Sequence, residues 1–341
     1  MMKQLLLLLS LIYPLLLVAQ HTTEVAPLKG ERWWGGMVAA GSEMPFAPNT
    51  RIYDLNKENR NNQTAPLLLS SAGRYVWGER PFRFQFRNDS LILESDYENL
   101  EVVVAGNTLK DAYLAASTKY FPFNGHIPES LFFSQPQYNT WIELMYNQNQ
   151  EDILNYARQA LANGFPPGIF MVDDNWQCYY GNFDFKAEKF PDPKAMCDEL
   201  HRLGFKIMLW ICPFYSADTP EFREMEQKGY LLKNKTDGNT AIIKWWNGYS
   251  ACLDVTNPKA VAFFKSKLEA TMQRYGVDGF KFDAGDIYYM TGDYAYFDKT
   301  ADKHLFSQRW AEIGAYFPYN ELRAAWKTPI RRSGRTARRR R

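Results

Sequence analysis

From residue 168 onward, short apolar runs alternate with helical patterns, and the apolar runs end in carboxylates or tryptophan. Gly168-Ile169-Phe170-Met171-Val172 leads into Asp173-Asp174, the run 206–212 contains Trp210 and stops at Pro213, and 277–282 ends in Asp283-Ala284-Gly285-Asp286. Before and between them lie amphipathic or cap-bounded helical patterns at 151–162, 193–203 and 258–275, each stopped by Gly164, Gly204 or Gly276, with a further one following at 301–316. Strand, helix, strand at this spacing predicts right-handed parallel βα units. Polar residues gathered at strand ends favour a (β/α)8 barrel, whose active face is built at the C-terminal ends of its strands. A doubly wound open sheet is the competing architecture, but no G-x-G-x-x-G follows the first strand.

The residues before about 135 follow another grammar. Within 25–125, the run 66–77 leads to Phe82-Arg83-Phe84-Gln85-Phe86, which alternates aromatic and polar as a half-buried strand should. Runs at 91–94 and 101–105 follow, separated by turn formers, and few helical patterns intervene. Thr140-Trp141-Ile142-Glu143-Leu144-Met145-Tyr146 also reads as strand-like. The expected fold is α/β: an antiparallel β-sandwich over 21–130, then a barrel domain over 131–327.

At its start the chain carries Lys3 and an apolar run over 5–18, interrupted by Ser10 and Pro14, before Ala19. This fits a signal peptide over 1–20 and an exported protein, periplasmic or secreted, with no stable membrane insertion after cleavage. Cys178, Cys197, Cys212 and Cys252 form no C-x-x-C pair and sit in or beside apolar stretches, as buried free thiols do. His21, His126, His201 and His304 are scattered without metal-ligand spacing, His201 being expected at the surface, and no cofactor motif is present. The net charge of +2 hides an asymmetry, because seven Arg lie in the last eleven residues and the remainder stands at −5. The body is therefore not expected to bind nucleic acid. Ten Trp and 21 Tyr suit either a large aromatic core or a sugar site, where flat rings stack on pyranose C–H faces.

Asp283 closes an apolar strand and would be held rigidly at a pocket floor, as attack on an anomeric carbon or a general-base role requires. Lys281, two residues earlier, shares its face of the strand and could keep it ionised. An isolated D-x-G is equally a turn cap. Phe280-Lys281-Phe282-Asp283-Ala284-Gly285-Asp286, however, resembles the nucleophile motif of glycoside hydrolase family 31, in the branch of the myogenesis-regulating glycosidase and its bacterial relatives. Pro136-Gln137-Tyr138-Asn139-Thr140-Trp141-Ile142-Glu143-Leu144 is similar to that branch's first barrel strand. Val172-Asp173-Asp174-Asn175-Trp176 is similar to its second-strand segment, and Phe190-Pro191-Asp192-Pro193, residues 208–213 and residues 253–258 to its following elements. Residues 70–77 match its galactose-mutarotase-like N-terminal domain, so the resemblance covers about residues 30 to 326.

The resemblance implies a retaining, exo-acting α-glycosidase acting on an α-galactoside or α-glucoside. Asp283 would be the nucleophile. Asp173 and Asp174 would meet sugar hydroxyls, with Trp176, Trp210 and Trp246 as stacking walls or core, and Lys281, Asp286 and Arg323 would complete the substrate site. The family's acid/base aspartate follows further along the chain. Here residues 328–341 instead form an Arg-rich run without Asp or Glu, which reads as an aberrant tail on about the first half of a barrel. The acid/base is thus expected to be absent from this chain, which would be an impaired, truncated form. The alternative reading is a non-catalytic carbohydrate-binding protein.

Overall fold

The computed structural model describes residues 21–57, 63–88, 90–123, 125 and 127–327; the expected signal peptide and the Arg-rich tail lie outside the described residues. Eight short strands build the N-terminal unit: β1 (His21–Val25), β2 (Trp33–Met37), β3 (Tyr53–Asp54), β4 (Thr64–Ser70), β5 (Arg74–Trp77), β6 (Arg83–Arg87), β7 (Ser90–Ser95) and β8 (Val102–Val104). They form two antiparallel sheets, ordered β1-β7-β6-β3 and β2-β4-β5-β8. In β4 and β7 every second residue is buried, as the alternation requires. Phe84, Phe86, Leu91 and Leu93 of one sheet meet Trp33, Met37, Leu68 and Val76 of the other, closing the sandwich.

Helix α1 (Leu109–Tyr120) covers the outer face of the second sheet, with Ala112 and Ala116 set against Tyr75. The sequence reading expected no helix there. Its signal is the capping box of Thr108 and Asp111, in which each side chain answers the other's backbone N–H.

The second unit begins with α2 (Leu131–Ser134), β9 (Gln137–Asn139), α3 (Thr140–Glu143) and α4 (Gln150–Ala162). The strand expected over 140–146 is thus displaced to 137–139. The Asn139 side chain accepts from Trp141 N–H and starts a helical turn at the point where the strand was expected. There follow β10 (Ile169–Val172), α5 (Pro193–Arg202) and β11 (Lys206–Ile211). An excursion holds β12 (Phe214–Ser216), α6 (Pro220–Gln227), β13 (Lys233–Asn234), β14 (Ile242–Trp245) and β15 (Gly248–Cys252). The βα order then resumes with α7 (Pro258–Tyr275), β16 (Gly279–Phe282), β17 (Tyr294–Ala295), α8 (Lys303–Gly314) and β18 (Tyr319–Leu322).

One parallel sheet runs β9-β10-β11-β16-β18. Its spatial order is its chain order, without the reversal that defines a doubly wound sheet. It is the arc of a (β/α)8 barrel, with five of the eight strands that closure needs. Phe170, Val172, Ile207, Leu209, Phe280 and Phe282 face outward onto the helices. The alternate residues Ile169, Met171 and Met208 face inward, where Leu131 and Phe132 of α2 and Tyr319 pack on them. Continued along each strand, this inward row reaches Asp173, Trp210, Lys281, Asp283, Glu321 and Arg323.

After β18 the chain returns to the sandwich. Thr64 N–H donates to Ala325 O (3.0 Å), and Trp326 is buried in the sandwich core.

Gly279 abuts β18 so closely that a Cβ there would lie 1.8 Å from Tyr319 O. Gly279→Ala is expected to lower stability by about 1–3 kcal/mol through overpacking, read as a lower urea midpoint with an unchanged m-value.

Candidate active site

Asp283 follows the last residue of β16, and its N–H still bonds to Ile211 O (2.8 Å), so it inherits the sheet's rigidity. The chain then turns sharply: Ala284 has φ 55° and Gly285 φ 76°. Only glycine fits the second position, where a Cβ would lie 2.1 Å from Trp310 Cδ1. Trp310 Nε1 in turn donates to Asp283 O (3.1 Å). The turn aims the Asp283 carboxylate inward, where Oδ2 accepts from Trp210 Nε1 (2.6 Å) and Oδ1 from Arg323 Nη1 (3.1 Å) and from Ala284 N–H (3.0 Å). A carboxylate held by such donors is fixed in one orientation.

A second cluster stands beside it. Lys281 Nζ donates to Asp173 Oδ2 (2.9 Å), as does Asn139 Nδ2 (2.9 Å). Burial works against the Lys281 charge, but Asp173 and Asp283 outweigh it and hold the ammonium pKa above its ordinary value. On its other side Lys281 lies 4.0 Å from Glu321, whose carboxyl burial pushes up. Asp174 turns away from Asp173. It accepts from Tyr180 OH (3.1 Å) and Asn247 Nδ2 (2.9 Å), and Asn175 N–H caps it (2.7 Å), with Asn175 itself at φ 77°. Burial raises the Asp174 carboxyl to about 6, against those hydrogen bonds. Gln148 Nε2 ties the segment down from behind by donating to the carbonyls of Asp173 and Asp174.

Asp286 and Arg323 complete the wall. Arg323 Nε approaches Asp286 Oδ2 at 3.6 Å, and its guanidinium lies over the Trp246 ring, 4.9 Å from Cζ to centroid. Burial raises the Asp286 carboxyl to about 7, with Arg323 opposing and the Asp283 charge adding to the rise.

The three tryptophans divide by position. Trp246, at the tip of the β14–β15 hairpin, is 41% exposed and available to a ligand. Trp210 is buried and acts through its indole N–H on Asp283. Trp176 is fully buried, donates to Trp210 O (2.7 Å) and tilts against Phe185; of the two roles open to it, this is core. Of the cysteines, Cys197, Cys212 and Cys252 are buried as expected, but Cys178 is exposed. His201 is half-buried rather than free at the surface, because Asp278 holds its Nε2 at 2.8 Å.

Sequence reasoning did not single out Asn139, Gln148, Tyr180, Asn247 or Glu321. Asn139 lay within the segment that resembles the first barrel strand, whereas Glu321 lies on β18, which the sequence reading did not identify. The Asn247-Gly248 pair marks a hairpin turn but says nothing of Asp174, 73 residues away.

A comparison with protein families matches residues 133–325, more than half of the chain, to the glycosyl hydrolases family 31 TIM-barrel domain. The chain belongs to glycosyl hydrolase family 31. It is 29% identical over 227 residues to the myogenesis-regulating glycosidase of Mus musculus, covering 66% of this chain and 32% of that protein. It is 30% identical over 233 residues to the alpha-xylosidase XylQ of Lactiplantibacillus pentosus, covering 65% and 29%. Among solved structures, a family 31 alpha-xylosidase from a soil metagenome, complexed with xylose, superposes with TM-score 0.71 at 20% identity, covering 90% of this chain and 46% of that one. A family 31 dextranase from Flavobacterium johnsoniae, complexed with glucose, gives TM-score 0.73 at 17% identity, covering 90% and 41%. This chain spans about a third of the length of these curated relatives and less than half of these solved chains. Among the described residues, no helix is long and apolar enough to cross a membrane.

The raised carboxyls set a pH dependence. Both folded values lie above the unfolded aspartate value of about 3.9, so over the interval up to about 7 the native state binds protons that the unfolded chain has released. Stability from these groups is full at the acid end and falls as pH rises through about 6 to 7. Asp286→Asn, which removes one of them, is expected to stabilise the chain at pH 8 by on the order of 2 kcal/mol and to change little at pH 4, measured by urea denaturation at both values.

Proposed function

We propose that the protein is a retaining, exo-acting α-glycosidase of the branch that includes the myogenesis-regulating glycosidase, with Asp283 as nucleophile. The observation carrying this reading is the Asp283 carboxylate itself. It sits at the mouth of a parallel strand, aimed inward by a tight turn and held by Trp210 and Arg323. Its oxygen attacks the anomeric carbon, the bond from that carbon to the leaving group breaks, and a glycosyl ester forms. Asp173 with Lys281, and Asp174 with Asn247, would receive the sugar hydroxyls, while Trp246 offers a stacking face. Asp286 acts through Arg323. The identity to the mouse glycosidase supports the branch. The Lys3 and apolar 5–18 segment supports export.

Retention also needs a second carboxyl group, about 5–5.5 Å from the first, to protonate the leaving group. Family resemblance assigns that role to sequence following the region matched here. Substrates with poor leaving groups therefore depend on it, whereas glycosyl fluorides do not. The substrate class is an α-galactoside or α-glucoside; a relative named as an alpha-xylosidase adds the α-xyloside.

The purified chain should be offered α-galactosyl, α-glucosyl and α-xylosyl fluoride and a disaccharide of each sugar. One fluoride is expected to release fluoride ion and add a glycosyl mass to Asp283, the disaccharides to remain intact, and Asp283→Ala to abolish the adduct. An adduct surviving Asp283→Ala rejects the nucleophile assignment, whereas efficient disaccharide cleavage upholds the glycosidase reading and overturns only the expectation that the acid/base is missing. Sugar binding seen by calorimetry without fluoride release supports the carbohydrate-binding reading instead.

A further inference from the structure

Arg323 faces two carboxylates and has a hydrogen bond to one. Its Nη1 donates to Asp283 at 3.1 Å, while its Nε stops 3.6 Å from Asp286. Neither Asp286 oxygen, nor Arg323 Nε, has a hydrogen-bond partner among the described residues, although Asp286 is almost wholly buried. Complementary atoms, the Asp286 oxygens and Arg323 Nε, are thus buried on either side of an unmade bond, although the Arg323 side chain as a whole is partly exposed. Leaving such groups unpaired is costly, and a charge-assisted bond is among the strongest available. The gap to be closed is the 3.6 Å between Arg323 Nε and Asp286 Oδ2, in a guanidinium whose Cζ lies over the Trp246 ring.

We propose that Asp286 is the reserve counter-ion of Arg323, a positioning residue that takes over the guanidinium when Asp283 is esterified. This rests on the nucleophile reading of Asp283. With a glycosyl fluoride, an Asp283 oxygen bonds to the anomeric carbon and fluoride leaves with the electron pair, so the carboxylate becomes a neutral ester. Arg323 then stands uncompensated beside a centre that must again become oxocarbenium-like when the ester breaks down. Closing on Asp286 restores a partner anion, and a proton held by Asp286 passes to solvent. The groups facing Asp286 allow this, being Asp283, Arg323 and the un-ionised Tyr289, whose phenol is pushed up to about 12 by burial and by the Asp286 charge. Asp286 thus holds the local charge steady through a step that erases the charge of Asp283.

The handover is tested without turnover in Asp283→Asn, an isosteric neutral stand-in for the ester. Its crystal structure is expected to show Arg323 Nε within hydrogen-bond distance of Asp286. The Asp286 carboxyl, followed by ¹³C NMR, is expected to titrate lower than in the parent chain. In Asp283→Asn/Arg323→Gln, only the smaller drop due to the lost Asp283 charge should remain. An equal drop with and without Arg323, or an Arg323 that stays on residue 283, overturns the proposal. A second measurement follows the rate of Asp283 labelling by the productive α-glycosyl fluoride. Asp286→Asn should slow it at least about tenfold, Asp286→Glu should recover most of the loss, and in an Arg323→Gln background Asp286→Asn should have no further effect. An undiminished rate in Asp286→Asn also overturns the proposal. Failure of the parent chain to be labelled counts against the nucleophile reading alone, because the titration still decides whether Arg323 moves.

Discussion

The two-residue alternation of parallel strands in a curved sheet governs most of this structure. On β10, β11 and β16 one set of side chains, Phe170, Val172, Leu209, Phe280 and Phe282 among them, must be large and apolar because helices cover it. The other set points into the arc. Near the α2 end it is apolar, as Ile169, Met171 and Met208 are. Toward the C-terminal ends it becomes Asp173, Trp210, Lys281 and Asp283. A shift of one residue in any strand would exchange these sets and place carboxylates under the helices. The hydrophobic requirement on the outside therefore fixes the polar site on the inside.

The charges gathered there occur in linked groups. Lys281 lies between Asp173 and Glu321, and Arg323 between Asp283 and Asp286. Replacing a buried ion pair by apolar residues is often neutral or stabilising, so such an arrangement adds little to folding. Its value is orientation. Asp283 receives donors from β11, from its own turn and from the residue after β18, so three segments must be in place before its carboxylate has a single direction. The strained left-handed backbone at Ala284 and at Asn175, each within two residues of an inward aspartate, belongs to the same economy. Trp326 extends the dependence to the sandwich, since the segment carrying Arg323 ends buried in that core.

Much of this was legible in the linear chain. The apolar runs with terminal aspartates announced the parallel strands and placed Asp173, Lys281 and Asp283 on the inward face at the strand ends. The alternating aromatics of 82–86 announced the sandwich. Helix α1 was missed because its apolar stripe is weak, although its capping box was present. The strand at 140–146 was displaced because apolar content there satisfies either element, and the cap at Asn139 decides between them.

By itself the sequence determined the alternation of β10, α5, β11, α7 and β16, their inward register and the identity of the carboxylate at the mouth of β16, because these follow from local periodicity and chain order. Only the tertiary structure decided that Trp176 is core while Trp246 faces the site, and that Asn247 and Tyr180 reach Asp174. It alone decided that Arg323 stands between Asp283 and Asp286. Each of these depends on how far one loop folds over another. That is a question of long-range packing, and residues of the same type carry no mark of the answer.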